Sequence, residues 1–169
     1  MNTTGNEIKI RRVTTDDVEA LREIRLEALR NNPIAFTADP EVAEKRSAEE
    51  WKERIRGSPI YFACDGDKVM GMTGIFRNKS AVTRHQGWIW GVYVQPAYRS
   101  RGIAASMIMQ CLRWAREAGL TVTYIATAAS NTPAVRCYAN CGFTVYGLQP
   151  MAIFHDGRYY DELMMAQKL

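Results

Sequence analysis

The chain has 169 residues, 47% of them hydrophobic and 24% charged, and a net charge of +4 at pH 7. That length suits one compact domain with a sizeable core and leaves too little for two independent ones. No apolar run approaches the roughly 20 residues that cross a bilayer, and the basic residues are scattered among acids, not drawn into the stripe with interleaved aromatics that marks a nucleic-acid binder.

The N-terminal stretch MNTTGNEIKIRR is polar and lacks the apolar segment of a secretory signal, so an intracellular, cytoplasmic protein is expected. EIKIRRV alternates at period two and predicts an opening strand. TTDDVEALREIRLEALRNN predicts a helix with Val18, Leu21, Ala28 and Leu29 on one stripe, capped by Thr14 or Thr15. NPIAFTADPEVAEKR holds two prolines and reads as a loop. In SAEEWKERIR, Ser47 and Glu50 stand at capping-box spacing and open a short helix. Three strands follow, PIYFACDG, DKVMGMTGIFRN and GWIWGVYVQ, in the manner of an antiparallel meander. From Gly102 the period changes, with Ala104, Met107, Ile108, Cys111, Leu112 and Ala115 at helical spacing and Gly119 as the stop. TVTYIAT predicts a strand, and NTPAVRCYANC a short helix with Pro133 in its first turn. Two final strands flank the turn His155-Asp156-Gly157. The expected architecture is a mixed α/β sheet of about seven strands with about four helices, forming one domain over residues 1–169.

Cys64, Cys111, Cys137 and Cys141 contain no CxxC pair, and only His85 and His155 could complete a metal site. Reduced thiols and no metal are expected. Cys137 and Cys141 share a helical face and read as packing residues, and His85 lies in a turn-like stretch and reads as exposed. Trp88 and Trp90 share one strand face and read as core or pocket aromatics ahead of a base-stacking platform.

The stretch VQPAYRSRGIA carries the chemistry. An apolar strand ends at Pro96, Arg99 and Arg101 follow, and Gly102 opens the long helix. A helix N-terminus has amides without partners and a partial positive charge, so an anion placed there gains hydrogen bonds and dipole attraction together. Gly102 lets a ligand approach the backbone with no Cβ in the way, and Arg99 and Arg101 add charge-assisted bonds to phosphate oxygens. Taken alone, the same residues also fit a loop glycine between solvated arginines. The GxxxxGK[ST] string of the ATP loop does not occur, and GxGxxG after the first strand is missing.

In its context the stretch resembles the signature of the GCN5-related N-acetyltransferase (GNAT) superfamily, R/Q-x-x-G-x-G/A, met by Arg99, Gly102 and Ala104. A second family pattern, N-x-x-A-x-x-x-Y-x-x-x-G-F, is met by Asn131, Ala134, Tyr138, Gly142 and Phe143. The resemblance implies the GNAT fold and acetyl-coenzyme A as co-substrate. Its pyrophosphate is expected on backbone amides of Ser100, Arg101, Gly102, Ile103, Ala104 and Ala105. Its pantetheine arm is expected between two parted strands, along Val92, Tyr93 and Val94. By the same resemblance the amide of Val94 or Val92 is an oxyanion donor, and Tyr138 donates a proton to the leaving thiolate or packs the last helix. Asn131 caps that helix, bonds the pantetheine amide, or both. Ala134 belongs to the same binding pattern. Many relatives carry a glutamate early on the strand before the signature loop, where this sequence has Trp88, so the base is left among Asp39, Glu41, Glu44, His155 and a water chain. The implied activity is acetyl transfer to a primary amine of a small molecule, by direct attack in a ternary complex without a covalent nucleophile. Its rivals are a non-catalytic acyl-coenzyme A module on the same fold and a protein N-terminal or lysine acetyltransferase. No nucleic-acid or membrane partner is expected, and the C-terminal hairpin is a plausible homodimer interface.

Overall fold

Apolar runs bounded by turn signals become strands along the whole chain, and the computed structural model, which describes residues 8–169, joins them in one seven-stranded sheet. The strands are β1 (Lys9–Arg12), β2 (Ile60–Asp65), β3 (Lys68–Arg77), β4 (Gln86–Val94), β5 (Val122–Ala128), β6 (Thr144–His155) and β7 (Arg158–Lys168), in the order β1-β2-β3-β4-β5-β7-β6. All neighbours run antiparallel except β4 and β5, which run parallel. Glu7, the first residue of the predicted opening strand, and the polar stretch before it lie outside the described residues. The expected turn joins β6 to β7 through Asp156 (φ 47°) and Gly157 (φ 73°).

Local chemistry fixes the helices of the first half. A 3₁₀ turn, Thr15–Asp17, leads into α1 (Val18–Asn31). The Asp17 carboxylate accepts from the Thr14 N–H at 2.8 Å and hydroxyl at 3.1 Å, and pairs with Arg11 at 2.7 Å, so the end of β1 is tied to the helix start. Ser47 and Glu50 bond reciprocally ahead of the later helix Ala48–Gly57, with Ser47 N–H to Glu50 Oε2 at 2.6 Å and Glu50 N–H to Ser47 Oγ at 3.3 Å. The segment read as a loop contains a short helix of its own. This is α2 (Pro40–Glu44), and Ala48–Gly57 is accordingly α3. Asp39 caps α2 by accepting from the Glu41 N–H at 2.8 Å, and Pro40 occupies its first turn, where no amide is needed. The chain therefore has five α-helices among the described residues, the others being α4 (Ile103–Glu117) and α5 (Thr132–Asn140).

Helices cover both faces. Leu21 and Leu29 of α1 with Trp51 and Ile55 of α3 pack on Phe62, Met72 and Tyr93 of the sheet. On the other face Ile108 and Leu112 of α4 and Tyr138 of α5 pack on Ile75, Ile89, Ile125 and Met165.

The sheet is interrupted at its centre. β4 and β5 pair only at Gln86–Val122, Gly87–Thr123 and Trp88–Tyr124. Beyond that point β4 follows β3 as far as the Val94–Gly71 pair, and β5 follows β7 as far as Ala128–Glu162, so the two strands part. Just past the last shared pair, β4 bulges: Trp90 faces Gly74 and Tyr93 faces Met72, leaving Gly91 and Val92 opposite Thr73 alone. Gly91 adopts φ +65°, a conformation open to glycine and costly for other residues. The extra residue resets the alternation, so Trp90 and Tyr93 both pack toward α1, while Ile89, Val92 and Val94 pack toward α4 and α5.

Gly91→Ala is expected to lower the melting temperature by roughly 2–8 °C, as a destabilisation of about 1–2 kcal/mol does in a chain of this size. The new methyl would meet Arg25 Nη1 at 3.2 Å and Met72 Cε at 3.3 Å. Gly157→Ala, also at positive φ but with nothing within 4 Å, isolates the backbone strain and is expected to cost less. Calorimetric scans of both variants check the order.

Candidate active site at the parted strands

Where β4 leaves β5, a cleft of about 810 Å³ opens at the carboxyl ends of the two parallel strands, the place where sheets of this kind receive ligands. One wall is β4 from Ile89 to Val94 and the other is Ile125, Ala126 and Thr127 of β5. The first turns of α4 and α5 also line it, as do Asn32, Ala35 and Phe36 from the loop after α1.

The start of α4 is built for access. Gly102 is its N-cap at φ +74°, no side chain caps the helix, and a Cβ at Gly102 would meet nothing within 4 Å. The amides of the first turn therefore lack side-chain partners. Ser100, Gly102, Ile103, Ala104 and Ala105 all line the cleft. The two arginines differ in placement. Arg99 lines the cleft, donates from Nε to the Val94 carbonyl at 2.9 Å and lies 5.8 Å over the Tyr93 ring, so it fixes the end of β4. Arg101 stands outside the lining, exposed, over Tyr98 at 5.4 Å.

At the start of α5, Asn131 caps the helix by accepting from the Ala134 N–H at 3.4 Å. Tyr138, two turns further, is only 6% exposed and lines the cleft. Burial drives its phenol well above the usual range, reinforced by Cys137, Cys141 and Glu162. The thiols beside it are also raised, Cys137 by burial and Cys141 by burial and its neighbour to about 11. No cluster of His, Cys, Asp or Glu among the described residues could hold a metal ion.

The sequence-derived candidates for a base do not gather here. Asp39 is engaged as the α2 cap, Glu44 pairs with Arg30 at 2.7 Å, and Glu41 is exposed. His155 sits 3.4 Å from Asp156 at the tip of the last hairpin. None of the four lines the cleft. Trp88 stacks on Tyr124 with centroids 4.9 Å apart, at the pair that precedes the opening. The carboxylate that reaches β4 is Glu27 of α1, which accepts from the Tyr93 hydroxyl at 2.7 Å and from Gln95 Nε2 at 3.0 Å. Burial first, and then Glu27, pushes the Tyr93 phenol up to about 12. Sequence reasoning missed Glu27 because its partners lie 66 and 68 residues away. It also missed Phe36 and Arg25, although Arg25 carried a sign. Its spacing from Leu21 and Leu29 puts a cation on the apolar stripe of α1.

Residues 18–143 match the model of a family described as the Acetyltransferase (GNAT) family. The chain is 27% identical over 170 residues to the L-amino acid N-acetyltransferase AaaT of Escherichia coli (strain K12), covering 96% of this chain and 98% of that protein. An acetyltransferase of the GNAT family from Streptococcus pneumoniae has a similar structure, with a TM-score of 0.86 at 19% identity over 96% of this chain and 100% of that one. The structure of yncA from Salmonella typhimurium, solved with its cofactor acetyl-CoA, matches with a TM-score of 0.81 at 21% identity over 96% of this chain and 94% of that one. At these identities the two structures speak for the fold.

Removing the Glu27 carboxylate by Glu27→Ala takes away two of the influences that hold the Tyr93 proton and leaves burial in place. The phenol is expected to titrate lower than its present value of about 12, part of the way toward the ordinary value near 10. NMR of ring-labelled tyrosine follows this directly, and an unmoved resonance would show that the carboxylate does not act on it.

Proposed function

The chain belongs to the GNAT family of acetyltransferases and is an acyltransferase, and from that premise we propose that residues 1–169 act as one domain that moves an acetyl group from acetyl-coenzyme A to the primary amine of a small molecule. The observation that carries the proposal is the parting of β4 and β5 beside the uncapped N-terminus of α4. A pyrophosphate fits open amides at a glycine whose Cβ position is empty, and an extended arm fits a strand edge released from its parallel neighbour after Trp88. The curated relative named as an L-amino acid N-acetyltransferase, similar along nearly the whole chain, supports an acceptor of small size.

Acetyl-coenzyme A supplies the acyl group already activated as a thioester. The chain is left to hold, orient and manage protons. Ser100 to Ala105 are assigned to the phosphates, with Gly102 admitting them and Arg101 adding exposed positive charge at the mouth. Val92, Tyr93 and Val94 are assigned to the pantetheine arm, and the amide of Val92 or Val94 to the carbonyl oxygen. Asn131, with Ala134 bound to its side chain, sets the α5 end of the cleft. Tyr138 keeps its phenolic proton throughout the neutral range, because burial raises its pKa, and is the proton donor to the departing thiolate. Cys137 and Cys141 have raised thiol pKa values, which argues against a covalent route and for direct attack within a ternary complex. None of the acids first considered lines the cleft, so the amine, whose ordinary pKa is near 10.4, is assigned to lose its proton to water there.

Calorimetric titration with coenzyme A tests the phosphate site. Arg101→Glu reverses an exposed charge and is expected to weaken binding roughly five- to tenfold, about 1–1.4 kcal/mol. Gly102→Val puts atoms into the approach path and is expected to cost more. Equal affinities in all three proteins would remove the phosphate assignment. For the proton donor, Tyr138→Phe is expected to lower kcat roughly 10²-fold with little change in coenzyme affinity. A donor with a raised pKa is present below that pKa and lost above it. The wild-type rate should accordingly show no descending limb below about pH 10, the ordinary tyrosine value.

A further inference from the structure

A second cavity lies behind one wall of the cleft. Trp90 lines both, and its indole rests against β3, where a Cβ at Gly74 would meet ring atoms at 2.5–2.7 Å. This cavity, of about 680 Å³, is formed by α3, the end of β3 and the loop that follows. Four cations line it: Arg46 ahead of α3, Arg54 within α3, Arg77 at the end of β3 and Lys79 beyond it. None of the four has an ion pair among the described residues. Three of them are nonetheless held in place. Arg54 lies 5.1 Å over the Trp90 ring and Arg46 lies 5.5 Å over the Trp51 ring. Arg77 donates from Nε to the Arg84 carbonyl at 2.5 Å, an anchor that does not use its Nη groups.

The acids do not balance this set. Glu50 and Glu53 are the two carboxylates in the lining, so the cavity carries four positive charges against two negative. Glu50 is engaged by the Ser47 N–H and hydroxyl at 2.6 and 2.9 Å, and Glu53 is exposed and forms no ion pair. Behind Trp90 the buried Arg25, 7% exposed and also without an ion pair, adds a further cation. Burial, then Arg54 and Arg46, bring its pKa down to about 10, and burial followed by Arg46 lowers that of Arg54. Cations that depress one another in this way share a poorly solvated region with no counter-ion. A cavity lined by one sign of charge focuses its field into the enclosed space and draws the opposite sign there.

The lining also says what kind of anion fits. Guanidinium forks match phosphate oxygens with paired bonds and a lysine adds a point charge, so several converging cations suit a dianion better than a single carboxylate. Phe76, 39% exposed, and Trp90 supply ring surface for an organic body. The volume falls within the roughly 300–1,000 Å³ of sites that take small organic ligands.

We propose that this cavity is a second ligand site, separate from the transferase cleft, for a phosphate monoester of a small organic molecule. The phosphate lies on Arg54, Arg77 and Lys79, and the organic body lies against Phe76 and Trp90. Binding there is non-covalent and does not depend on the transferase reading. Because Trp90 is common to both spaces, an occupant of the cavity touches the wall of the cleft.

Calorimetric titration of the full chain with phenyl phosphate, and separately with inorganic phosphate, tests the site. Phenyl phosphate is expected to bind roughly three- to tenfold more tightly, since its ring adds aromatic contact. Arg54→Gln and Arg77→Gln each remove one exposed guanidinium, and each should weaken phenyl phosphate roughly tenfold or more. Either variant suffices, so one that fails to fold leaves the test intact. Gly102→Val, at the mouth of α4, should leave this affinity unchanged. Binding lost in Gly102→Val but kept in both arginine variants would put the ester on α4 and overturn the second site. Equal affinity for inorganic phosphate overturns the organic class, and absence of binding by either anion overturns the proposal outright. None of these results bears on the transferase reading, which coenzyme A binding tests on its own.

Discussion

One extra residue in one strand governs the centre of this protein. By inserting Gly91 against Thr73, β4 flips the alternation of its side chains just beyond its last bond to β5. An unbulged strand would carry Tyr93 on the α4 face and Val92 on the α1 face. Tyr93 would then not meet Glu27, and the apolar contact of Val94 with Ile103 and Met107 beneath the start of α4 would be lost. The missing side chain at Gly91 also leaves the room that Arg25 Nη1 occupies. The carboxylate–phenol contact and the room for the buried cation thus share a single cause, placed just beyond the point where the strands part, and bulges commonly re-aim side chains beside active sites.

Much of the architecture was legible because its signals are local. The reciprocal bonds of Ser47 and Glu50, the Asn131 cap, the six-residue stripe of α4 and the Asp156-Gly157 turn each depend on neighbours a few positions apart. The helix α2 was hidden by its own start signal, since a proline in a first helical turn and a proline in a loop look alike without the Asp39 bond that separates them. The extent of β4–β5 pairing was beyond sequence reasoning for another reason. It is set by the register of strands that begin 36 positions apart, Gln86 against Val122.

The site residues divide along the same line. Ser100 and Gly102 to Ala105 of the first motif, with Asn131, Ala134 and Tyr138 of the second, came together around one cleft, because each motif carries its own turn and helix start, while Arg101 stands outside it. Carboxylates chosen for lying in a likely loop stayed on the surface, where caps and ion pairs occupy Asp39 and Glu44. Glu27 and Arg25, both on α1, stand behind the cleft and touch residues that line it, Tyr93 for the one and Phe36 and Trp90 for the other, through packing between layers, and layer packing leaves no mark in a window of sequence. The arginine on the apolar stripe was the exception: a charge at a core position is a polar group in need of a partner.

The cleft is assembled from two kinds of material. Along β4 and at the mouth of α4 it offers main-chain groups, which are the same whatever residues evolution installs there. Across from them, Phe36 and Trp90, with Arg25 and Arg54 behind, present side chains and little else. Under the proposed function, variation at positions 36, 54 and 90 changes which nucleophile is admitted while the donor's handle stays untouched. A scaffold divided in this way lends itself to laboratory diversification of acceptor range from a small library on one wall.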